Sequence, residues 1–460
     1  MNIFIALLIS AMIAYCVINR YKPQTILAAG GMGMMFIAYI LGYKTADFVP
    51  KSVQTGFILF DMFEYVVRLM ISDIAGLGLV IMICTGFAKY MDYIGASSRM
   101  VELSMKPLKM LNAPYVVLAG SFLLCNAMAL IITSVSALAI LMMVTIYPIL
   151  IRLGVSRVGA TSVVVTGHIV DIGPGSPTTL FVAKTAGVHI NKFFVEHQAP
   201  IYIIICIAGA ITHYFWQKYM DKKEAAASVL EENIDLSKVG AKEQLTPPGP
   251  VIYAVLPLIP IVLLLGFSEY GYQGIKMNVN LAMILSLSVA LLFELVRIRN
   301  IKQWSESITA FLRGMGDQYA NTVSLVTAAQ IFANGLTCIG FVGGAIALIK
   351  GANIGLDTIM IILSLFLFFI SMLMGSGVAA TFAFAPLVPE FAKALGGDAI
   401  AILQSMQNSA SLGRLISPIT AALIAAAGIA NISVVDVVKR NTVPVIVCAI
   451  VNLISILLVF

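Results

Sequence analysis

Charge is what this chain has least of: Lys, Arg, Asp and Glu make up 11% of its 460 residues, against about 25% in soluble domains. With 60% hydrophobic residues and a mean hydropathy of +0.99, that scarcity excludes an ordinary water-soluble fold. The six cysteines stand singly in apolar segments without paired spacing, so neither a disulfide framework nor a thiolate metal site is expected. No phosphate-cradling loop ending in Gly-Lys-Ser/Thr is present, which argues against ATP-driven transport by this chain. There is no His-Glu-x-x-His pattern, and Gly375-Ser376-Gly377 lies in an apolar stretch rather than after a strand, so it is no dinucleotide fingerprint. The short alternating segments of a β-barrel are missing too. No basic n-region precedes the apolar stretch from Ile3 to Ile18, which therefore reads as a retained first helix and not a signal peptide.

What remains is a succession of apolar runs of roughly 17 to 25 residues, each long enough to cross about 30 Å of hydrocarbon. The expected fold class is an all-α polytopic membrane protein. Helices are predicted near 3–19, 24–42, 74–90, 200–216, 251–267, 278–296, 318–349 and 442–459. Two stretches, 114–152 and 358–395, have polar centres at Thr133-Ser134-Val135-Ser136 and Gly375-Ser376-Gly377 and read as re-entrant hairpins. Two further segments, 158–187 and 398–430, read as membrane helices broken in mid-span, at Gly173-Pro174-Gly175-Ser176-Pro177-Thr178-Thr179 and at Ser409 to Pro418. Residues 55–71, with Glu64 and Arg68 one helical turn apart, read as an interfacial helix.

The two halves match in order. Ser176-Pro177 and Ser417-Pro418 are 241 residues apart, as are Gly187 and Gly428, where both segments are expected to end, and Pro148 and Pro389. Ile94-Gly95 and Ile339-Gly340 match at an offset of 245. If the hairpins add no net crossing, the first half crosses five times and the second is inverted. The domains are then a first inverted repeat at 1–216, a cytoplasmic linker without chemistry at 217–250, and a second repeat at 251–460. With both termini outside, 19 of the 28 basic residues fall in cytoplasmic segments, 8 outside, and Arg414 within the membrane. That bias fits the positive-inside rule and makes the net charge of +6 a matter of topology, with no nucleic-acid partner.

An unwound backbone in hydrocarbon is costly unless it lines a cavity or meets a ligand, so the paired breaks mark a substrate and ion site. Hydroxyls and amides for an anionic substrate come from Thr133, Ser134 and Ser136, from Ser176, Pro177, Thr178 and Thr179, from Ser376 and Gly377, and from Asn408, Ser409, Ser411 and Ser417. Arg414 is either the counter-charge for a substrate carboxylate or the partner of a distant acid such as Asp171. His168 and Asp171, at i and i+3 ahead of the first break, are candidates for a proton relay. Unwound carbonyls around Gly173 and Gly413 could serve Na⁺, the coupling ion being Na⁺ or H⁺ with no other cofactor and no firm metal site. His189, His197 and His213 read as ordinary interfacial residues.

The run Gln407-Asn408-Ser409, Ser411-Leu412-Gly413-Arg414 and Ile416-Ser417-Pro418, then Val437-Val438-Lys439-Arg440 with Val443-Pro444-Val445, resembles the DcuC family of anaerobic C4-dicarboxylate carriers. Phe215-Trp216-Gln217 followed by Asp221-Lys222-Lys223-Glu224 is similar too. The resemblance spans essentially the whole chain. It implies the ion-transporter-superfamily fold, in which each inverted repeat carries a re-entrant hairpin and a broken helix, the scaffold often dimerises and the transport domain moves as an elevator. It also implies fumarate, succinate, malate and sometimes aspartate as cargo, moved by symport, exchange or efflux across a bacterial inner membrane. Same-fold carriers of another small anion or amino acid, and a cation/proton antiporter, stay open. No metal or nucleophile constellation supports an enzyme.

Overall fold

Within hydrocarbon every backbone N–H and C=O must be paired inside its own segment, and the apolar runs accordingly fold as α-helices. The computed structural model describes residues 8–9, 12–13, 15–16, 19, 21–42, 54–227, 246–352 and 354–459; among them no strand occurs. Eight described helices are long and apolar enough to span a membrane, or up to nine if a bent pair counts as one span. The first predicted helix, 3–19, lies largely outside the described residues, as do Lys44, Lys51, Lys238 and Lys242.

One group of helices is built from long rods. Helix α1 (Pro23–Ile40) starts on a proline, which suits a first turn whose N–H has no helical partner. Helices α2 (Ile58–Asp73) and α3 (Leu79–Tyr93) form one 36-residue rod through a π turn at Ile74–Gly78. The expected interfacial helix is thus the first half of this rod, and Glu64 and Arg68 do pair on it at 3.0 Å. Later in the chain α10 (Ile259–Gly266) packs on α11 (Val279–Ile298). Helices α12 (Ile301–Gln318) and α13 (Ser324–Cys338) then make a second rod through a π turn at Tyr319–Val323.

Both rods stop at a glycine in the left-handed region. Gly95 (φ 73°) leads into α4 (Ala96–Ser104), and Gly340 (φ 80°) into α14 (Phe341–Gly351). The Ile-Gly matches therefore fall on the same turn in each rod. The helix predicted at 318–349 is in fact the rod from Ile301, bent by 65° at that glycine. Rod α2–α3 packs on α12 and α11, and α1 packs along α13.

The α1–α13 crossing is backbone against backbone: a Cβ on Gly31 would lie 2.5 Å from Ile331 O, and one on Gly335 would lie 2.5 Å from Gly31 O. Membrane helices associate closely through such small residues. Gly335→Val is expected to force the helices apart and destabilise the fold by about 1–3 kcal/mol, read as a lower thermal unfolding midpoint in detergent.

The second group holds the hairpins and broken helices. Helix α5 (Pro114–Ala129) turns into α6 (Val135–Thr145), and α15 (Leu356–Met374) into α16 (Gly377–Phe384). Each tip is capped by serine: Ser134 Oγ accepts from Ala137 N at 3.4 Å, and Ser376 Oγ from Ala379 N at 3.2 Å. Helices α7 (Arg157–Thr166) and α8 (Pro177–Thr185) are one interrupted segment, α17 (Ala399–Arg414) and α18 (Ala421–Ala430) the other. Gly187 follows the first in the left-handed region, while Gly428 stays helical and Asn431 (φ 52°) ends the second. Helices α9 (Ala199–Ala227) and α19 (Val434–Val459) pack along each other and against the interrupted segments.

The linker expected from residue 217 begins later, because α9 runs on to Ala227; residues 228–245 lie outside the described set. Its far end docks at the first left-handed glycine, where Gly249 N donates to Gly95 O at 3.0 Å and Arg99 Nε to Gly249 O at 2.6 Å.

Candidate functional site

The two interruptions have local causes. After Thr166 the chain is non-helical through Gly173 (φ 97°) and Pro174 to Ser176. Ser176 Oγ accepts from Thr179 N at 3.5 Å, and Pro177 starts α8. The second interruption starts at Leu415, not at Ser409: Ser409, Ser411, Gly413 and Arg414 are helical and 415–420 are not. Ser409 and Ser411 keep helical backbone because their hydroxyls bond outward, to Asn452 and Asp171. Pro418, which has no N–H, ends what the serines do not.

These interruptions meet. Arg414 Nη2 lies 2.9 Å from Asp171 Oδ1 and donates to His168 O at 3.3 Å, while Nη1 reaches Asp171 Oδ2 at 3.5 Å. His168 Nε2 lies 3.2 Å from the same Asp171 Oδ1. All three side chains are buried. Of the alternatives for Arg414, the structure contains the pair with Asp171. Guanidinium carries five N–H donors, and only those three contacts engage it: Nε has no protein partner. His168 Nδ1, Gln407 Oε1 and Ser417 Oγ are also buried without protein partners, and orphaned groups of this kind call for water or a polar ligand.

The Asp171 main chain is tied down with equal care. Its carbonyl accepts from Gln407 Nε2 at 2.8 Å, Gln198 Nε2 at 3.1 Å and Thr179 Oγ1 at 3.3 Å, and its N–H donates to Ser411 Oγ at 3.3 Å. Asn441 Nδ2 donates to Leu415 O at 3.0 Å, and Thr420 Oγ1 to Arg414 O at 2.6 Å. The carbonyls of His168, Asp171 and Leu415 in the interruptions, and of Arg414 at the helix end, are thus engaged by protein donors. Gln198, Thr420 and Asn441 carry no signal in the sequence, and Gln407 enters there only through the run that carries the resemblance. Glutamine next to Asn408 in an apolar helix was the available signal for Gln407.

The remaining predicted residues divide. Thr133 lies beside Gly175 and lines a small cavity with Pro174 and Met283. Ser176 and Thr178 bond each other at 3.1 Å, and Ser134 and Ser376 serve as caps. Ser136 sits in the first turn of α6, half-buried. Asn408 turns to Asn452 at 2.8 Å, onto α19 and not into the crossing. Gly377 and Gly413 lie where a side chain would strike the Ala410 and Phe368 carbonyls, so they permit close helix approach.

A second charge cluster forms around buried Arg440 and takes in Asp221 and Glu224, from the stretch expected to be a linker without chemistry. Arg440 is paired with Asp221 at 2.7 Å and Glu224 at 2.8 Å, and donates to Gln217 Oε1 at 2.8 Å. Asp221 also accepts from Ser156 Oγ at 2.6 Å, Ser156 N at 3.0 Å and Tyr115 OH at 3.1 Å. Trp216 Nε1 donates to Arg440 O at 3.1 Å. His213, expected at a membrane edge, is buried instead, with Thr166 Oγ1 at 3.0 Å and Gln217 Nε2 at 3.3 Å.

An all-helical multi-pass membrane protein with crossed, interrupted helices and a charge pair at their crossing belongs to the class of membrane transporters. Solved structures of that class share its fold: the YdaH transporter of Alcanivorax borkumensis superposes with a TM-score of 0.64 over 95% of this chain and 98% of its own, at 12% identity. MtrF of Neisseria gonorrhoeae gives 0.62 over 95% and 94%, at 15% identity. The DcuC family, C4-dicarboxylate anaerobic carrier, matches residues 1–460. The anaerobic C4-dicarboxylate transporter DcuC of Escherichia coli K12 is 32% identical over 96% of this chain and 94% of its own length. A probable DcuC of Vibrio cholerae is 33% identical over 97% and 95%. The chain belongs to the DcuC family, whose named members are transporters and not enzymes.

Proposed function

We propose that this protein is a secondary carrier that moves C4-dicarboxylates such as succinate, fumarate and malate across a bacterial inner membrane. The observation that carries the reading is the Asp171–Arg414 crossing, where the guanidinium Nε and the Nδ1 of the adjoining His168 are buried without protein partners. One substrate carboxylate bonds the free Nε edge of Arg414, and hydroxyls such as Ser417 complete its shell. Asp171 holds the guanidinium in place and repels a misplaced anion. The two halves act as inverted repeats, with termini in the periplasm. The hairpins, interrupted helices, α9 and α19 move as one body against a frame of α1–α3 and α10–α13, through which the protein dimerises.

A dianion moved against the membrane potential costs about 2.3 kcal/mol per charge per 100 mV, so accumulation needs co-transported cations while exchange of equal charges does not. The coupling cation is Na⁺ or H⁺; the carbonyls of His168, Asp171, Arg414 and Leu415 already have protein donors, so a Na⁺ would use others at the breaks. The test is uptake and counterflow of labelled succinate or fumarate in liposomes, with Na⁺ and pH gradients imposed separately. Saturable counterflow inhibited by unlabelled C4 acids is expected. No flux with any C4 acid on either side would reject the cargo.

A further inference from the structure

The buried atoms left without a partner among the described residues around the crossing are Arg414 Nε, Ser417 Oγ, Gln407 Oε1 and His168 Nδ1, and their chemistry is unequal. Arg414 Nε can only donate, and Ser417 Oγ can donate or accept. The Gln407 amide is oriented by its neighbour. The Asp171 carbonyl can only accept, so Nε2 faces it at 2.8 Å and Oε1, an acceptor, is left over.

His168 is settled by the same residue. Its Nε2 lies 3.2 Å from Asp171 Oδ1, an oxygen of a carboxylate paired with Arg414 at 2.9 Å, so the ring hydrogen is on Nε2. Asp171 and Arg414 are the charged groups around this imidazole. They balance each other, and a second buried positive charge would have no counter-charge. The imidazole is therefore neutral, and its Nδ1 is an acceptor.

The site thus offers one donor, two acceptors and one hydroxyl. A substrate carboxylate on Arg414 Nε uses the donor. Succinate and fumarate dianions carry acceptors alone, so they leave His168 Nδ1 and Gln407 Oε1 bare, and a buried acceptor without a donor is costly. A C4 acid with a hydroxyl or ammonium on the carbon next to that carboxylate presents an acceptor and a donor side by side. Arg414 and His168 present the complement: Arg414 Nη2 donates to Asp171 Oδ1 and to the His168 carbonyl, and His168 Nε2 faces the same Oδ1. His168 is 3% exposed and Gln407 0%, so neither has bulk water to turn to.

We propose that His168 is a specificity-determining residue of the carrier: its Nδ1 accepts a hydrogen bond from a 2-hydroxyl or 2-ammonium group. C4-dicarboxylates with that substituent, such as malate or aspartate, then bind more tightly than succinate or fumarate. The inference rests on the dicarboxylate reading and adds the substituent to it. No covalent bond changes and no proton is transferred.

Competition against counterflow of labelled succinate in liposomes measures the ranking. Malate or aspartate is expected to inhibit at a concentration about tenfold or more below that of unlabelled succinate, and the stronger of the two distinguishes hydroxyl from ammonium. 2-Methoxysuccinate, which keeps the oxygen and loses the donor, is expected to be no stronger than succinate. These arms use the wild type and need no variant to fold. His168→Gln keeps a donor at the place of Nε2 and removes the acceptor at Nδ1, so the preference should shrink to within about threefold. His168→Asn, whose amide oxygen replaces Nδ1, should retain it; a ratio between two substrates does not depend on how much protein is folded.

Malate and aspartate no stronger than succinate, 2-methoxysuccinate as strong as malate, or an unchanged ratio in His168→Gln overturns the proposal and leaves the dicarboxylate reading intact. Proton uptake on succinate binding that His168→Gln abolishes would make Nδ1 a donor and overturn it too. No flux with any C4 acid rejects the cargo, and this inference with it.

Discussion

Arg414→Ala is expected to abolish dicarboxylate binding and to lower stability by about 3–5 kcal/mol, the usual cost of leaving one member of a buried ion pair alone. The orphan is Asp171, at 2.9 Å from the guanidinium and as deeply buried. Its remaining side-chain neighbours, His168 and Ser411, are longer contacts at 3.2 and 3.4 Å. Stability and function separate in the double variant Asp171→Leu/Arg414→Met. Apolar residues of similar volume often replace a buried pair at little cost, so unfolding should return to near wild type while succinate binding stays lost. Thermal unfolding in detergent and liposome counterflow read the two effects. A stable double variant that still carries succinate would reduce the pair to a structural role.

Arg440→Ala is expected to cost about 3 kcal/mol, toward the lower end of that range because Glu224 is half-exposed while Asp221 is nearly buried. Asp221 keeps Ser156 and Tyr115, so the loss falls chiefly on the joint between α9 and α19. Substrate affinity should change little once the protein is folded, because the cluster does not include the Asp171–Arg414 crossing. Glu224→Gln, removing only the exposed partner, should shift stability by less than about 1 kcal/mol. Equal effects of the two variants would show that the pairing with Asp221 contributes nothing of its own.

The sequence was most informative where chemistry is expensive. Hydrocarbon forbids unpaired backbone, so interruptions at Gly173-Pro174 and Pro418 were legible from composition, and so was the cost of Arg414. The serine-rich stretch 409–414 was not, because its helical state depends on hydroxyl partners elsewhere, Asp171 in the first interruption and Asn452 on α19, which no local pattern reveals. Asp221 and Glu224 read as linker for the same reason: two charges beside lysines look solvated until Arg440, 219 residues from Asp221, is brought to them.

The chain holds two tryptophans, and their indoles fall in different groups of helices. Trp216 donates to the Arg440 carbonyl, and Trp304 donates to Leu291 O at 2.8 Å within the helix pair α11–α12. Trp304→Phe would therefore leave a single tryptophan, seated on the α9–α19 joint. Its emission and quenching would report optically, without a label, on whether that joint stays closed during turnover.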